Sequence, residues 1–159
     1  MLPAVALGWL LLGEGCLWLE RRDRRRRVWQ AACARAEELG RPLVVVGAPD
    51  GGVTAGYGCG DVTIDIAPSA CPCSVRWDIC DGMPLPDDSC VVYVSCVLEY
   101  VRDWKGAVAE LERVSGGELF LVTVEPFSLT GWMYPGTRLP VPWSLQRRYG
   151  IGPERGRAA

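Results

Sequence analysis

Hydrophobic and polar positions change their period twice between residues 90 and 124. Cys90 to Ser95 (CVVYVS) is a continuous apolar run rich in β-branched side chains. It is too short for a typical helix and follows the turn residues Pro84, Pro86, Asp87 and Asp88, so it reads as a buried strand. From Asp103 the apolar positions Trp104, Ala107, Val108, Leu111 and Val114 recur at helical spacing, with Lys105, Glu110, Glu112 and Arg113 on the opposite face. Asp103 suits an N-cap, and Gly116 with Gly117 suits a stop. Glu118 to Val124 (ELFLVTV) is a second apolar strand. Strand, helix, strand in this order predicts a βαβ crossover, and therefore parallel strands in an α/β layer.

Upstream, Arg24 to Leu39 carries a thin helical stripe of Val28, Ala31, Ala32, Ala36 and Leu39, stopped by Gly40, Arg41 and Pro42. Leu43 to Val46 (LVVV) reads as the first, central strand, and the turn Gly47-Ala-Pro-Asp50-Gly51-Gly52 follows it. In a doubly wound sheet that turn lies at the carboxyl edge of the strands, where ligands bind. Glycines there let backbone approach a ligand closely, although a plain β-turn uses the same residue types. The next stretch, VTAGYGCGD, has glycines at 56, 58 and 60. Each interior glycine costs a helix about 1 kcal/mol relative to alanine, so no crossover helix is expected here. Asp61 to Ile66 (DVTIDI) reads as the second strand.

The text DICDGMPLPDDS, then VSCVLEYV, then AVAELERVSGGELFLVTVEP resembles the second half of class I S-adenosylmethionine (SAM) dependent methyltransferases, the type 11 group in particular. Their usual pattern runs D-x-x-x-L-P-F-P-D-x-S-F-D-x-V, then a Val-Leu-Glu-His-Val-like turn, then a helix ending in paired glycines before an apolar strand. The resemblance covers roughly Leu43 to Pro126. It implies a Rossmann-like, doubly wound, mainly parallel sheet of strand order 3-2-1-4-5, with SAM as cofactor. It also implies cofactor-binding roles for Gly47, Asp50, Gly51, Gly52, Asp65, Asp78, Ile79 and Ser95. Asp65 takes the place of the acid that accepts hydrogen bonds from the ribose hydroxyls, Asp78 that of the acid at the adenine amino group, and Ile79 packs the ring. The same two acids also suit a solvent-facing strand end and an ordinary strand-to-turn junction. The chain departs from the family in having Pro49 in the glycine turn, no acid at the end of the first strand and no helix after it. Cys96 and Tyr100 stand where members often have His. Few residues remain after Glu125 for the family's closing strands, so the sheet is expected to be truncated at its C-terminal end.

Leu2 to Leu19 is apolar apart from Glu14, and Glu20 and RRDRRRR (Arg21 to Arg27) follow. A single membrane span with its basic end in the cytoplasm is one reading, and an interfacial or core-docked helix is another; a cleaved signal peptide is a third. Glu14 opposes a span, since a carboxylate near the bilayer centre costs a few kcal/mol. The arginine run suits anionic lipid headgroups at roughly 1 kcal/mol per side chain. The division expected is therefore 1–20 a membrane or interface helix, 21–41 a basic linker helix, 42–126 the α/β domain and 127–159 a Pro/Trp/Arg-rich extension that lies over the sheet edge or against a protein partner.

The net charge of −2 conceals segregation: residues 42–137 carry four basic and thirteen acidic side chains, while both ends are basic. An acidic body argues against a broad nucleic-acid surface. With no histidine in the chain, any proton transfer falls to Asp, Glu, Tyr, Cys or the substrate. Cys59, Cys71, Cys73 and Cys80 lack the paired C-x2-C knuckles of ordinary zinc sites, and a cytoplasmic domain is expected to keep its thiols reduced. Two functions stand side by side at this point. One is methyl transfer from SAM to a small or lipid-like acceptor at a membrane, and the other is a non-catalytic structural or interaction module on the same fold.

Overall fold

The computed structural model describes residues 2–49, 56–124, 136 and 143–149. In chain order these form helix α1 (Leu2–Leu39), strands β1 (Leu43–Val46), β2 (Val62–Asp65), β3 (Ser74–Arg76) and β4 (Val91–Ser95), helix α2 (Trp104–Ser115), strand β5 (Leu119–Val122) and helix α3 (Trp143–Tyr149). The five strands make one sheet of order β3-β2-β1-β4-β5, and every neighbouring pair is parallel. The α/β reading from sequence and its strand order are thus observed.

Alternation along the strands divides the core into two layers. Val44, Val46, Ile64, Val92, Val94, Leu119 and Leu121 face α2, where Ala107, Val108, Leu111 and Val114 meet them. Leu43, Val45, Val91, Tyr93, Phe120 and Val122 face the other way, against Val28, Ala32 and Ala36 of α1. Burial on both faces explains why β1, β4 and β5 read as unbroken apolar runs instead of alternating ones. Leu111 is fully buried, and truncating such a side chain costs about 2–5 kcal/mol.

The limits of α2 follow its caps. The Asp103 carboxylate accepts from Gly106 N at 3.0 Å, and Gly116 ends the helix in the left-handed region at φ 58°. No helix forms over residues 56–61, where glycines bring the chain close to α1. A Cβ on Gly56 would sit 2.9 Å from the Arg22 carbonyl oxygen, and one on Gly58 would sit 3.1 Å from the Trp29 ring.

The helix expected over residues 24–39 is present, and the ends of the chain and the cysteines add to the sequence reading. The N-terminal segment and the basic linker are one continuous helix of 38 residues. Among the described residues no helix is long and apolar enough to cross a membrane. Part of the C-terminal extension is helical, because Tyr149 and Leu145 of α3 join the α2-side core and the Tyr149 hydroxyl bonds to Glu112. The thiols are not all reduced: Cys59 and Cys71, with Cα atoms 5.8 Å apart, form a disulfide that ties the approach to β2 to the approach to β3.

Candidate functional site

Parallel strands place all their carboxyl ends on one edge, and the sequence-predicted residues collect there. Gly47 follows β1 with φ 92°, and its N–H donates to the Ile64 carbonyl at 2.9 Å. A Cβ at Gly47 would lie 2.6 Å from Val97 Cγ2 and 3.2 Å from the Ser95 carbonyl oxygen, so only glycine fits both the angle and the space. Asp50, Gly51 and Gly52 lie outside the described residues.

Asp65, ending β2, divides its carboxylate between two turns. Oδ2 accepts from Ala48 N at 2.7 Å and Oδ1 from Ala67 N at 2.8 Å. It thereby fastens the turn after β1 to the turn after β2. Asp78, just beyond β3, is exposed and caps a short 3-10 turn (Ile79–Asp81), with Oδ1 accepting from Cys80 N at 2.9 Å. Ile79 is buried in the α2-side core beside Met83, so its side chain serves the core in this structure instead of lying open to a ligand ring.

On the α1 face of the same edge lies a group of side chains that the sequence did not bring together. Alternation along β4 places Tyr93 and Ser95 on this face, and the Tyr57 ring packs against Tyr93 with centroids 5.1 Å apart. The Tyr57 hydroxyl lies 3.1 Å from the Gly47 carbonyl oxygen and 3.3 Å from that of Ala48, and that of Tyr93 donates to the Arg25 carbonyl at 3.3 Å. Burial pushes Tyr57 up to about 12, opposed by the Arg25 charge, and it raises Tyr93 further in the same direction.

Cys96, directly after β4, adopts φ 52°, which is uncommon for a residue with a side chain. Its sulfur accepts from the Arg25 guanidinium at 3.0 Å. Burial raises the thiol's pKa and Glu99 adds to the rise, while Arg25 and Arg21 oppose it. Burial works against the charge of Arg25, yet Cys96, Tyr57 and Tyr93 together hold its pKa above the ordinary value. Glu99 is 2% exposed; one oxygen accepts from Val124 N, the other has no hydrogen-bond partner, and burial raises its pKa. Nε of Arg25 likewise closes no hydrogen bond, while the buried Ser95 hydroxyl stands beside those of Tyr57 and Tyr93 and opposes the rise of both.

The arginine run therefore has two sides. Arg21 is buried and Arg25 bonds to Cys96, whereas Arg26 and Arg27 are exposed. Arg24 pairs with Glu20 at 3.1 Å. The signal was present in the spacing: 21, 25, 28, 32 and 36 form one helical stripe, of which the last three are the apolar residues on the sheet. Among the described residues no group of three or more metal-ligating side chains is assembled.

Comparison with family models, with curated proteins and with solved structures finds no match for this chain.

Proposed function

We propose that this chain is a SAM-dependent methyltransferase-like domain, which binds SAM across the carboxyl ends of β1, β2 and β3 and serves a small or lipid-like methyl acceptor. The observation that carries this reading is the placement of Asp65 and Asp78 at the carboxyl ends of adjacent parallel strands, next to the tight Gly47 turn. Paired acids at that edge suit the donors of a nucleoside, a ribose hydroxyl pair and an exocyclic amine. Asp78 is exposed toward solvent and commits one carboxylate oxygen to its own turn, so it retains capacity to accept from a ligand. When bound, SAM supplies an electrophilic methyl group for in-line displacement, a reaction governed by alignment. The lack of histidine is compatible with that chemistry.

A second reading, a non-catalytic module on the same fold, is favoured by one observation. Both oxygens of Asp65 are already occupied by backbone N–H groups, and Tyr57 caps the carbonyls of Gly47 and Ala48. Calorimetric titration with SAM and with S-adenosylhomocysteine separates the two. Binding that is lost in Asp78→Ala supports the cofactor site, and no heat at millimolar ligand supports the module.

The reading extends to membrane association through α1. Leu12, Trp18 and Leu19 are exposed on the part of that helix preceding the sheet, with Arg26 and Arg27 exposed beyond them. Apolar side chains followed by arginines suit an anionic lipid surface. Membrane fractionation with and without residues 1–20 tests this, and equal distribution of both forms in the soluble fraction rules the tether out.

A further inference from the structure

Strand β3 ends the sheet on one side, and among the described residues no strand pairs with its outer edge. All three of its residues are exposed. Toward β2 the Cys73 carbonyl accepts from Thr63 N at 3.0 Å, and Trp77 N donates to the Asp65 carbonyl at 2.9 Å. A ladder uses alternate residues of a strand, so the backbone N–H and C=O groups of Arg76 and Asp78 point away from β2. Asp78 keeps extended angles, φ −91° and ψ 118°, and continues the line of β3. Its carbonyl also accepts from Asp81 N, which leaves one lone pair for a second donor. Side chains alternate as well. Val75 pairs with Ile64 of the α2-side core, so Val75 and Trp77 share that face while Arg76 and Asp78 share the other. Val75 and Trp77 are 41% and 38% exposed, and Ile66, one step on from the Asp65 and Arg76 pair and so beside Trp77, is 63% exposed.

We infer that this edge pairs two copies of the chain, antiparallel about a two-fold axis at Trp77, with Arg76 of each copy opposite Asp78 of the other. The charge pattern selects a second copy as the occupant. Arg76, Trp77 and Asp78 read in the opposite direction are complementary to themselves: opposite charges meet at both ends and Trp77 meets Trp77 between them. The Arg76 and Asp78 backbones exchange the ladder hydrogen bonds, and the apolar row of Ile66, Val75 and Trp77 runs on across the axis into its mate. A register centred on Arg76 instead would oppose two guanidiniums, which is destabilising. Arg76 Nε donates to the Ile66 carbonyl at 2.9 Å, so one nitrogen anchors the guanidinium at the edge and the terminal pair faces outward for the carboxylate. The pairing does not rest on the methyltransferase reading, although Asp78 figures in both.

Sedimentation of the whole chain from micromolar to millimolar concentration is expected to show a reversible monomer–dimer equilibrium, weak because the edge is short. Arg76→Asp and Asp78→Arg each oppose like charges at both ends, and each is expected to weaken self-association about tenfold or more. Mixed in equal amounts, the two variants again face every acid with an arginine and are expected to associate as the unaltered chain does. A chain that stays monomeric throughout overturns the inference. Association that either variant retains alone also overturns it, since contact through the exposed apolar side chains of α1 would behave so. A second readout needs no variant: hydrogen exchange of the peptide containing residues 74–78 is expected to slow as concentration rises, and a rate independent of concentration overturns the pairing. A chain that binds SAM and remains monomeric removes this inference alone; one that pairs without binding SAM keeps it and removes the cofactor site.

Discussion

Arg35 of α1 grips Glu118 at the start of β5 with two parallel hydrogen bonds, Nε to Oε2 and the terminal nitrogen to Oε1, each 3.0 Å. The Glu118 side chain is 1% exposed, so this carboxylate is withdrawn from water almost completely. Arg35 also meets Glu38 at 2.6 Å, and its removal takes a two-pronged donor from the buried Glu118 carboxylate. Arg35→Ala is expected to cost about 3–5 kcal/mol in urea unfolding, whereas replacing both residues with Met and Leu is expected to be near neutral. A loss below about 1 kcal/mol for the single change would show that the bridge does not hold α1 on the sheet.

Asp65 and Asp78 are expected to behave differently when neutralised. Asp65→Ala frees two backbone N–H groups and is expected to lower stability by about 2 kcal/mol, so weaker SAM binding in that variant mixes two effects. Asp78→Ala removes one cap on a short exposed turn and is expected to cost about 1 kcal/mol or less. Asp78 is therefore the cleaner probe of the cofactor site. Parallel unfolding and SAM titrations of both variants check this, and equal stability losses would contradict the assigned role of Asp65.

Acid should weaken the clamp between α2 and the loop before β4. Arg113 bonds to Glu110, to Asp87 and to the carbonyls of Met83 and Leu85, while Glu110 also accepts from Met83 N at 2.7 Å. The Arg113 hydrogen bond, followed by that from Met83 N, holds the Glu110 carboxyl down at about 2. A carboxyl depressed in the folded state stabilises at neutral pH, and that contribution is lost as pH falls from its ordinary 4.5 toward 2. Glu110→Gln is expected to be less stable at neutral pH and to show a shallower decline over that window, read by urea unfolding at stepped pH. An identical decline in both proteins would exclude Glu110 as a source.

The disulfide should be felt as loop closure. Cys59 and Cys71 are separated by 12 positions, and closing a loop of that order contributes about 3 kcal/mol to stability. Reductant is expected to lower the midpoint of thermal unfolding in the unaltered chain and to leave Cys59→Ser unmoved. Equal sensitivity of both would place the redox effect elsewhere.

How far the sequence carried depended on how local each cause was. Asp103, the stripe from Trp104 to Val114 and Gly116 are neighbours in the chain, and the helix they predict is bounded where they place it. Strands β1, β4 and β5 were legible because burial on both faces leaves an unbroken apolar run, with a one-residue difference at Cys90 for β4, whereas β3 is exposed at all three residues and leaves no such run to read. The contacts that define the edge are not local. Arg25 and Cys96 are 71 positions apart, Arg35 and Glu118 are 83 apart, and no periodicity in either segment names its partner. The arginine run divides for a physical reason: a helix turns its residues through all directions, so of the six arginines around Asp23 the stripe at 21 and 25 turns inward while Arg26 and Arg27 stay exposed.

Because α1 reaches the sheet as a single unbroken helix, its rotational phase is fixed by Ala32 and Ala36 and passed without slack to Arg25. One extra residue inserted between Arg27 and Val28 would turn everything ahead of it by about 100°. The strand-facing guanidinium would swing toward solvent and an outward one would take its bearing. The helix thus acts as an indexed shaft, whose setting decides which arginine the edge of the sheet meets.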